Sequence, residues 1–213
     1  DQILMKKELD YVKQEFGAIN GVIHAAGIIG DESIFKKSIE KFNDIVKPKI
    51  NGTMVLDELV ENETLDFMCY FSSSSAILGD FGSCDYSIAN RFQMAYAHHR
   101  NRKYNKKNTY VINWPLWKDG GMGFDSDENS KSYLKLSGQR YLESKEGIQA
   151  FESIIAQNKT QHMVLVGKPS RVLNFLKIDN DEQHNQKPKL NTFSNIERQE
   201  EVEEPNIKDY LEK

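Results

Sequence analysis

The sequence predicts an α/β fold in which helices wind over both faces of a parallel sheet. Two observations lead there. Helical stretches alternate with short strands, and the strands Leu65–Ser72 and Thr109–Trp114 are almost continuously apolar, as expected where a sheet is covered on both faces. With 213 residues the chain is long enough for one domain with a real core. The crossovers between such strands are expected to be right-handed.

In chain order, Ile3, Leu4, Leu9, Val12 and Phe16 fall near one face of a helix over Gln2–Phe16, which Gly17 ends. Gly21–Gly27 reads as a short buried strand closing in a glycine turn. The polar loop Asp31–Ser33 leads to a helix over about Ser38–Glu61, carried by Phe42, Ile45, Val46, Ile50, Met54, Leu56 and Leu59. Pro48 should kink that helix or start a new segment. After the strand Leu65–Ser72, a Ser/Gly-rich loop runs to a long helix that starts near Cys84 or Asp85 and reaches about Lys103. Pro115 stops the strand Thr109–Trp114, and the Gly-rich loop Asp119–Gly123 follows. Lys145–Ala156 reads as a helix, His162–Val166 as a strand, and Pro169–Phe175 as the start of another helix.

The folded domain is expected to occupy residues 1–177. Residues 178–205, rich in Asn, Gln, Asp, Glu and Lys, read as a disordered linker, and residues 206–213 as the start of a further helix. The chain opens inside a helix, and no Gly-x-Gly-x-x-Gly follows any strand. The expectation is the C-terminal part of a Rossmann-like, dinucleotide-binding fold, with the first strands and the phosphate loop outside it.

A net charge of −4 and a pI near 5.8 argue against general nucleic-acid binding. Arg100–Lys103 with Lys106 and Lys107 reads as a solvated helix end that complements the C-terminal dipole. The two cysteines, Cys69 and Cys84, form neither a metal-type pair nor a disulfide framework, and Cys69 reads as a small buried hydrophobe. No secretory leader and no apolar run of membrane length is visible in the sequence. Together these predict a cytoplasmic protein with no nucleic-acid, membrane or metal partner.

Four residues carry the chemistry. Tyr86 near a helix start has a phenol able to protonate a carbonyl oxygen, although its ordinary pKa of about 10 suits neutral pH poorly. A nearby ammonium would lower it, and Lys49 on the preceding helix is the candidate. Ser73, at the carboxyl end of a strand, can hydrogen-bond and polarise the same carbonyl. Asn90 lies one helical turn beyond Tyr86 on the same face, where it can hold Lys49 or a water that resupplies the proton. Each element alone is a weak signal: Tyr-x-x-x-Asn recurs by chance, serine runs are usually loops, and Lys47 and Lys49 could both be solvated helix charges. Their joint placement points to reduction of a ketone by a hydride donor.

These residues resemble the ketoreductase domains of bacterial modular polyketide synthases, relatives of the short-chain dehydrogenases/reductases. Gly21-Val22-Ile23-His24-Ala25-Ala26-Gly27 resembles the family's strand and turn beside the adenosine, and Lys47-Pro48-Lys49-Ile50-Asn51-Gly52 its lysine motif. Phe71-Ser72-Ser73 through Gly79 to Tyr86 and Asn90 resembles the serine–tyrosine–asparagine block. Ile112-Asn113-Trp114-Pro115-Leu116-Trp117 with Gly120-Gly121-Met122 resembles the segment over nicotinamide and substrate, and Glu146–Phe151 the last family helix. The Trp-Pro-Leu-Trp form is most similar to assembly lines whose acyltransferase is a separate protein.

The resemblance implies roles. Tyr86 would be the proton donor, Ser73 the carbonyl ligand, Lys49 the tyrosine partner and Asn90 the fourth member. NADPH would contact His24, Ala25, Ala26, Gly27, Lys49, Tyr86, Pro115 and Leu116. The substrate would be a β-ketoacyl thioester on an acyl carrier protein, with other synthase domains as partners. Asp31, Leu78 and Met122 would bear on the substrate and its stereochemistry. Ile29-Gly30-Asp31 keeps only the last aspartate of the Leu-Asp-Asp loop of D-alcohol-forming members, and Leu78 stands where L-forming members carry tryptophan, so a D-type alcohol is expected. Asn206–Leu211 resembles the opening helix of a carrier domain. A non-catalytic structural piece of a synthase and a free-standing short-chain dehydrogenase acting on a small ketone remain the other readings.

Overall fold

A computed structural model describes residues 1–178 apart from 29, 31, 32, 34, 80–83 and 120–127. The predicted linker beyond Ile178 and the helix over 206–213 lie outside the described residues, as do Asp31 and Met122. The elements are α1 (Gln2–Phe16), β1 (Gly21–His24), α2 (Ile39–Leu59), β2 (Phe67–Ser73), α3 (Ser75–Leu78), α4 (Cys84–Lys103), β3 (Thr109–Trp114), α5 (Glu128–Ser137), α6 (Ser144–Ile155), β4 (Gln161–Met163) and α7 (Pro169–Phe175).

The four strands lie in the order β1-β2-β3-β4 and every neighbouring pair is parallel. All six residues of the interior strand β3 are buried, whereas β1 at the sheet's margin is half exposed. Alternation along the strands splits the core in two. Met68, Tyr70 and Val111 pack with Val60, Ala97 and partly buried Leu56 and Met94, which come from α2 and α4. Cys69, Tyr110, Ile112 and Trp114 turn to the other face, against Ile154, Ala150 and Phe151 of α6. The sheet is therefore covered on both sides, as its apolar strands require.

That division corrects one expectation. Crossovers of a single hand through strands in this order would place α2, α4 and α6 on one face. With α6 opposite α4, the β3–β4 connection has the other hand from the β2–β3 connection. It is long and carries α5 as well as α6, so it is not the tight strand–helix–strand unit to which the handedness preference applies.

α1 begins where the Asp1 carboxylate accepts from the Ile3 and Leu4 amides, and the Ser38 hydroxyl caps α2 by accepting from the Lys41 amide. α2 runs through Pro48 as one helix rather than two; the proline removes one N–H from the ladder. Two elements have no clear sequence signal. α3 is a single turn inside the serine run, and α5 is a polar segment whose Tyr133 meets Phe175 of α7 edge-on, so docking rather than propensity holds it.

One residue of the basic end of α4 is also corrected; Arg102, Lys103, Lys106 and Lys107 are exposed, as a solvated helix end requires. Arg100 is only 5% exposed, and its Nε donates to Asp57 Oδ1 of α2 at 2.6 Å while its other arm bonds Thr109 Oγ1 at 2.9 Å. It is an interior ion pair, not a solvated helix end.

Candidate active site

The carboxyl ends of β1, β2 and β3 share one edge of the sheet, the edge at which parallel α/β sheets bind ligands. Ser73, the last residue of β2, lies there beside Trp114 of β3. Its Oγ accepts from the Ser75 amide at 3.2 Å and from Ser75 Oγ at 3.0 Å, which leaves its own O–H to donate. Ala25, Ala26 and Gly27 continue past β1 at the same edge, the two alanines exposed and the glycine half-buried. His24 is different: its ring is 6% exposed and turns against α2, bonded to the Pro48 backbone and edge-on to Tyr70. Burial, aided by the neighbouring Lys49 charge, lowers its pKa to about 4, so the imidazole is neutral.

Tyr86 and Asn90 enter from the first two turns of α4. Asn90 is fully buried; its amide nitrogen donates to the Tyr86 carbonyl at 2.8 Å, and its Oδ1 has no hydrogen-bond partner among the described residues. Asp85, one residue before Tyr86, is buried in an ion pair with Lys37, and its second oxygen accepts from the Tyr86 amide at 2.9 Å. A Cβ on Gly30 would sit 2.7 Å from Lys37 Nζ and 2.9 Å from Asp85 Oδ1, so any larger residue there would displace this ion pair. Sequence reasoning passed over both Lys37 and Asp85.

Lys47 is exposed and Lys49 is buried, which separates the two lysines the sequence could not. Lys49 is 3% exposed; its Nζ donates to the Phe71 carbonyl of β2 at 2.7 Å and to Gln93 Oε1 of α4 at 3.1 Å. No carboxylate pairs with it among the described residues. Burial therefore lowers its pKa to about 8. Its third N–H remains for the site. The bond to Gln93, two turns beyond Tyr86 on the same face of α4, was not foreseen; the seven-residue spacing was its only trace in the sequence.

Pro115 is buried and Leu116 half-buried just past β3. They are pinned from below: the Leu142 amide donates to the Leu116 carbonyl at 2.8 Å, and Trp117 fills the space where Gly147 of α6 lacks a Cβ. Leu78 ends α3, which α4 grips through Ser87 Oγ to the Ser75 carbonyl at 3.3 Å and Arg91 Nε to the Ala76 carbonyl at 2.6 Å.

A parallel sheet covered on both faces, with Ser73 at its carboxyl edge and a buried ammonium at Lys49 between β2 and α4, defines a Rossmann-like α/β class. The comparisons narrow that class. Residues 1–119 match the family model described as "KR domain". The chain is 62% identical over 176 residues to the polyketide synthase PksM of Bacillus subtilis, covering 83% of this chain and 4% of that protein. It is 38% identical over 180 residues to the polyketide synthase ThaG of Burkholderia thailandensis, covering 83% of this chain and 3% of ThaG. Among solved structures, a ketoreductase domain from the bacillaene assembly line superposes with a TM-score of 0.76 at 35% identity, over 82% of this chain and 42% of that one. An N-terminal ketoreductase from the macrolactin assembly line gives 0.73 at 32% identity, over 83% and 34%. The chain belongs to the KR domain family, the ketoreductase domains of polyketide synthases. It spans only a few per cent of these synthases and less than half of the solved ketoreductase chains. Domains of this family use nicotinamide cofactors, and the curated relatives carry them within large multidomain synthases.

Proposed function

We propose that this chain is part of a ketoreductase domain that reduces a β-ketoacyl thioester, carried on an acyl carrier protein, to the β-hydroxyacyl thioester with NADPH. Residues 1–177 are the domain portion, residues 178–205 a linker, and residues 206–213 the approach to a carrier domain. The observation that carries this reading is Lys49: a buried ammonium with no carboxylate partner among the described residues, held between the end of β2 and the face of α4 that bears Tyr86 and Asn90. A cation kept in that state is a means of lowering a neighbouring phenol's pKa.

The residues at this edge fit the nicotinamide end of the cofactor. Small Ala25, Ala26 and Gly27 allow close approach, Asn90 Oδ1 is a buried acceptor without a partner among the described residues, and Pro115 and Leu116 flank the edge from β3. When bound, NADPH supplies the hydride to the carbonyl carbon. The chain's own residues handle the oxygen. Ser73 donates its free O–H to the carbonyl oxygen, and Tyr86 gives that oxygen its proton. Lys49 stabilises the phenolate left behind, and Asn90 holds the first turns of α4 through the Tyr86 carbonyl. Leu78, Asp31 and Met122 are assigned to substrate orientation and a D-type alcohol. A cytoplasmic setting is part of the reading, supported by two free cysteines, of which Cys69 is inert because burial raises its thiol pKa to about 12.

The test is NADPH oxidation by the full-length protein with a β-ketoacyl thioester. Tyr86→Phe should lower kcat by about 10²–10⁴-fold, the usual contribution of a positioned proton donor. Unchanged turnover refutes the role of Tyr86. Chiral analysis of the product reads out stereochemistry, and an L-alcohol overturns that assignment alone.

A further inference from the structure

We infer that Gln93, backed by Thr53, is a positioning residue for Lys49: it fixes where the ammonium sits and keeps its proton on it. This rests on the reading of Lys49 as the partner of Tyr86.

Gln93 and Thr53 are both fully buried. Gln93 Oε1 accepts from Lys49 Nζ at 3.1 Å, and Gln93 Nε2 donates to Thr53 Oγ1 at 3.2 Å. The second bond orients the amide, because it commits the nitrogen to Thr53 and presents the oxygen to the lysine. Thr53 lies one turn beyond Lys49 on α2, so the three side chains close a loop between the two helices. A buried glutamine loses rotamer freedom and leaves water, and it is tolerated only where its polar atoms are matched. Here both ends are matched, and one match is the lysine assigned to catalysis.

A neutral amide in this position suits the task. A carboxylate would form a buried ion pair and draw the ammonium away from the phenol. An apolar side chain would leave the ammonium with the Phe71 carbonyl as its only partner among the described residues. The titratable groups facing this stretch of α2 are His24 on β1, Tyr86 and Asp85 on the first turn of α4, and Asp57 further along α2 itself. His24 is neutral, Asp85 is matched by Lys37, and Asp57 by Arg100. Gln93 is thus the adjustable neighbour of the Lys49 charge.

The experiment follows the alkaline limb of kcat/KM for ketone reduction in the full-length protein. Gln93→Leu removes an acceptor from the ammonium, so the proton leaves sooner and the limb should move down by about one pH unit. Gln93→Glu adds a negative charge beside it, and the limb should move up by a similar amount. Opposite shifts are beyond a merely structural role, which would scale activity without moving the limb. Where Gln93→Leu does not fold, Gln93→Glu decides alone. A limb that stays at its wild-type position in the folded variants overturns the inference. If Tyr86→Phe and Lys49→Met abolish turnover while the Gln93 variants leave the limb in place, only the role of Gln93 fails. If Tyr86→Phe and Lys49→Met keep full turnover, the functional reading fails and Gln93 with it.

Discussion

Two buried polar clusters lie between α2 and α4, two helical turns apart. In the first, Lys49 has a backbone carbonyl and an amide oxygen for partners. In the second, Asp57 is met by the Arg100 guanidinium at 2.6 Å and the Tyr96 hydroxyl at 2.9 Å, with Lys103 at 3.7 Å. Among the described residues, the second cluster balances its charge and the first does not. Burial holds the Lys49 pKa down to about 8, so the fold bears an electrostatic cost at that point. A matched pair anchors two helices. An unmatched cation is retained only for something other than stability, and it lies at the end nearer Tyr86.

The largest break of this comparison comes from the matched side. Asp57→Ala leaves Arg100 buried without its carboxylate and should lower unfolding free energy by about 3–5 kcal/mol. In chemical denaturation the midpoint should fall, while the alkaline limb of activity stays where it is in wild type. A loss below about 1 kcal/mol would mean the pair is not the anchor described here.

A second test uses His24, the neutral neighbour of Lys49. Its folded pKa near 4 lies below the ordinary 6.5, so the unfolded chain takes up the proton first as pH falls. Stability from this group is present above pH 6.5 and lost between pH 6.5 and pH 4, by about 3 kcal/mol in total. Urea unfolding at pH 7 and at pH 5 should show about 2 kcal/mol of that loss in wild type, and His24→Phe should flatten it. An equally steep acid loss in the variant would assign the effect to other groups.

The smallest effect tests the unmatched side. Lys49→Met relieves the desolvation of a buried ammonium, about 3 kcal/mol from its lowered pKa, but leaves Gln93 Oε1 without its donor at a cost of about 1–3 kcal/mol, so the net change at pH 7 should be a gain of about 1 kcal/mol. The lysine pKa is lowered in the fold, so its penalty is full below about pH 8 and fades towards 10.5. The stability advantage of the variant should shrink across that window, while its reductase activity is lost. A variant less stable than wild type at pH 7 would show that Lys49 serves the fold.

The sequence by itself determined a good deal. Helix identity followed from periodicity at α1 and α2, where apolar positions repeat with the helical period, and strand identity at β3 from its unbroken apolar run. The doubly wound class followed from unbroken apolar strands, and the proposed set Lys49, Ser73, Tyr86 and Asn90 rests on short local patterns next to strand ends and a helix start. What only the tertiary structure decided depends on residues distant in the chain meeting across α2 and α4. Arg100 sits in a run that looks solvated, and becomes interior only because Asp57 lies 43 residues earlier on the facing helix. Gln93 is one polar residue among many until its oxygen is found on Lys49, 44 residues away. Lys37 and Asp85 meet under Gly30 for the same reason. Periodicity reports which face a residue takes within its own element. The partner on that face, and with it the charge balance that separates anchor from active site, is set by packing.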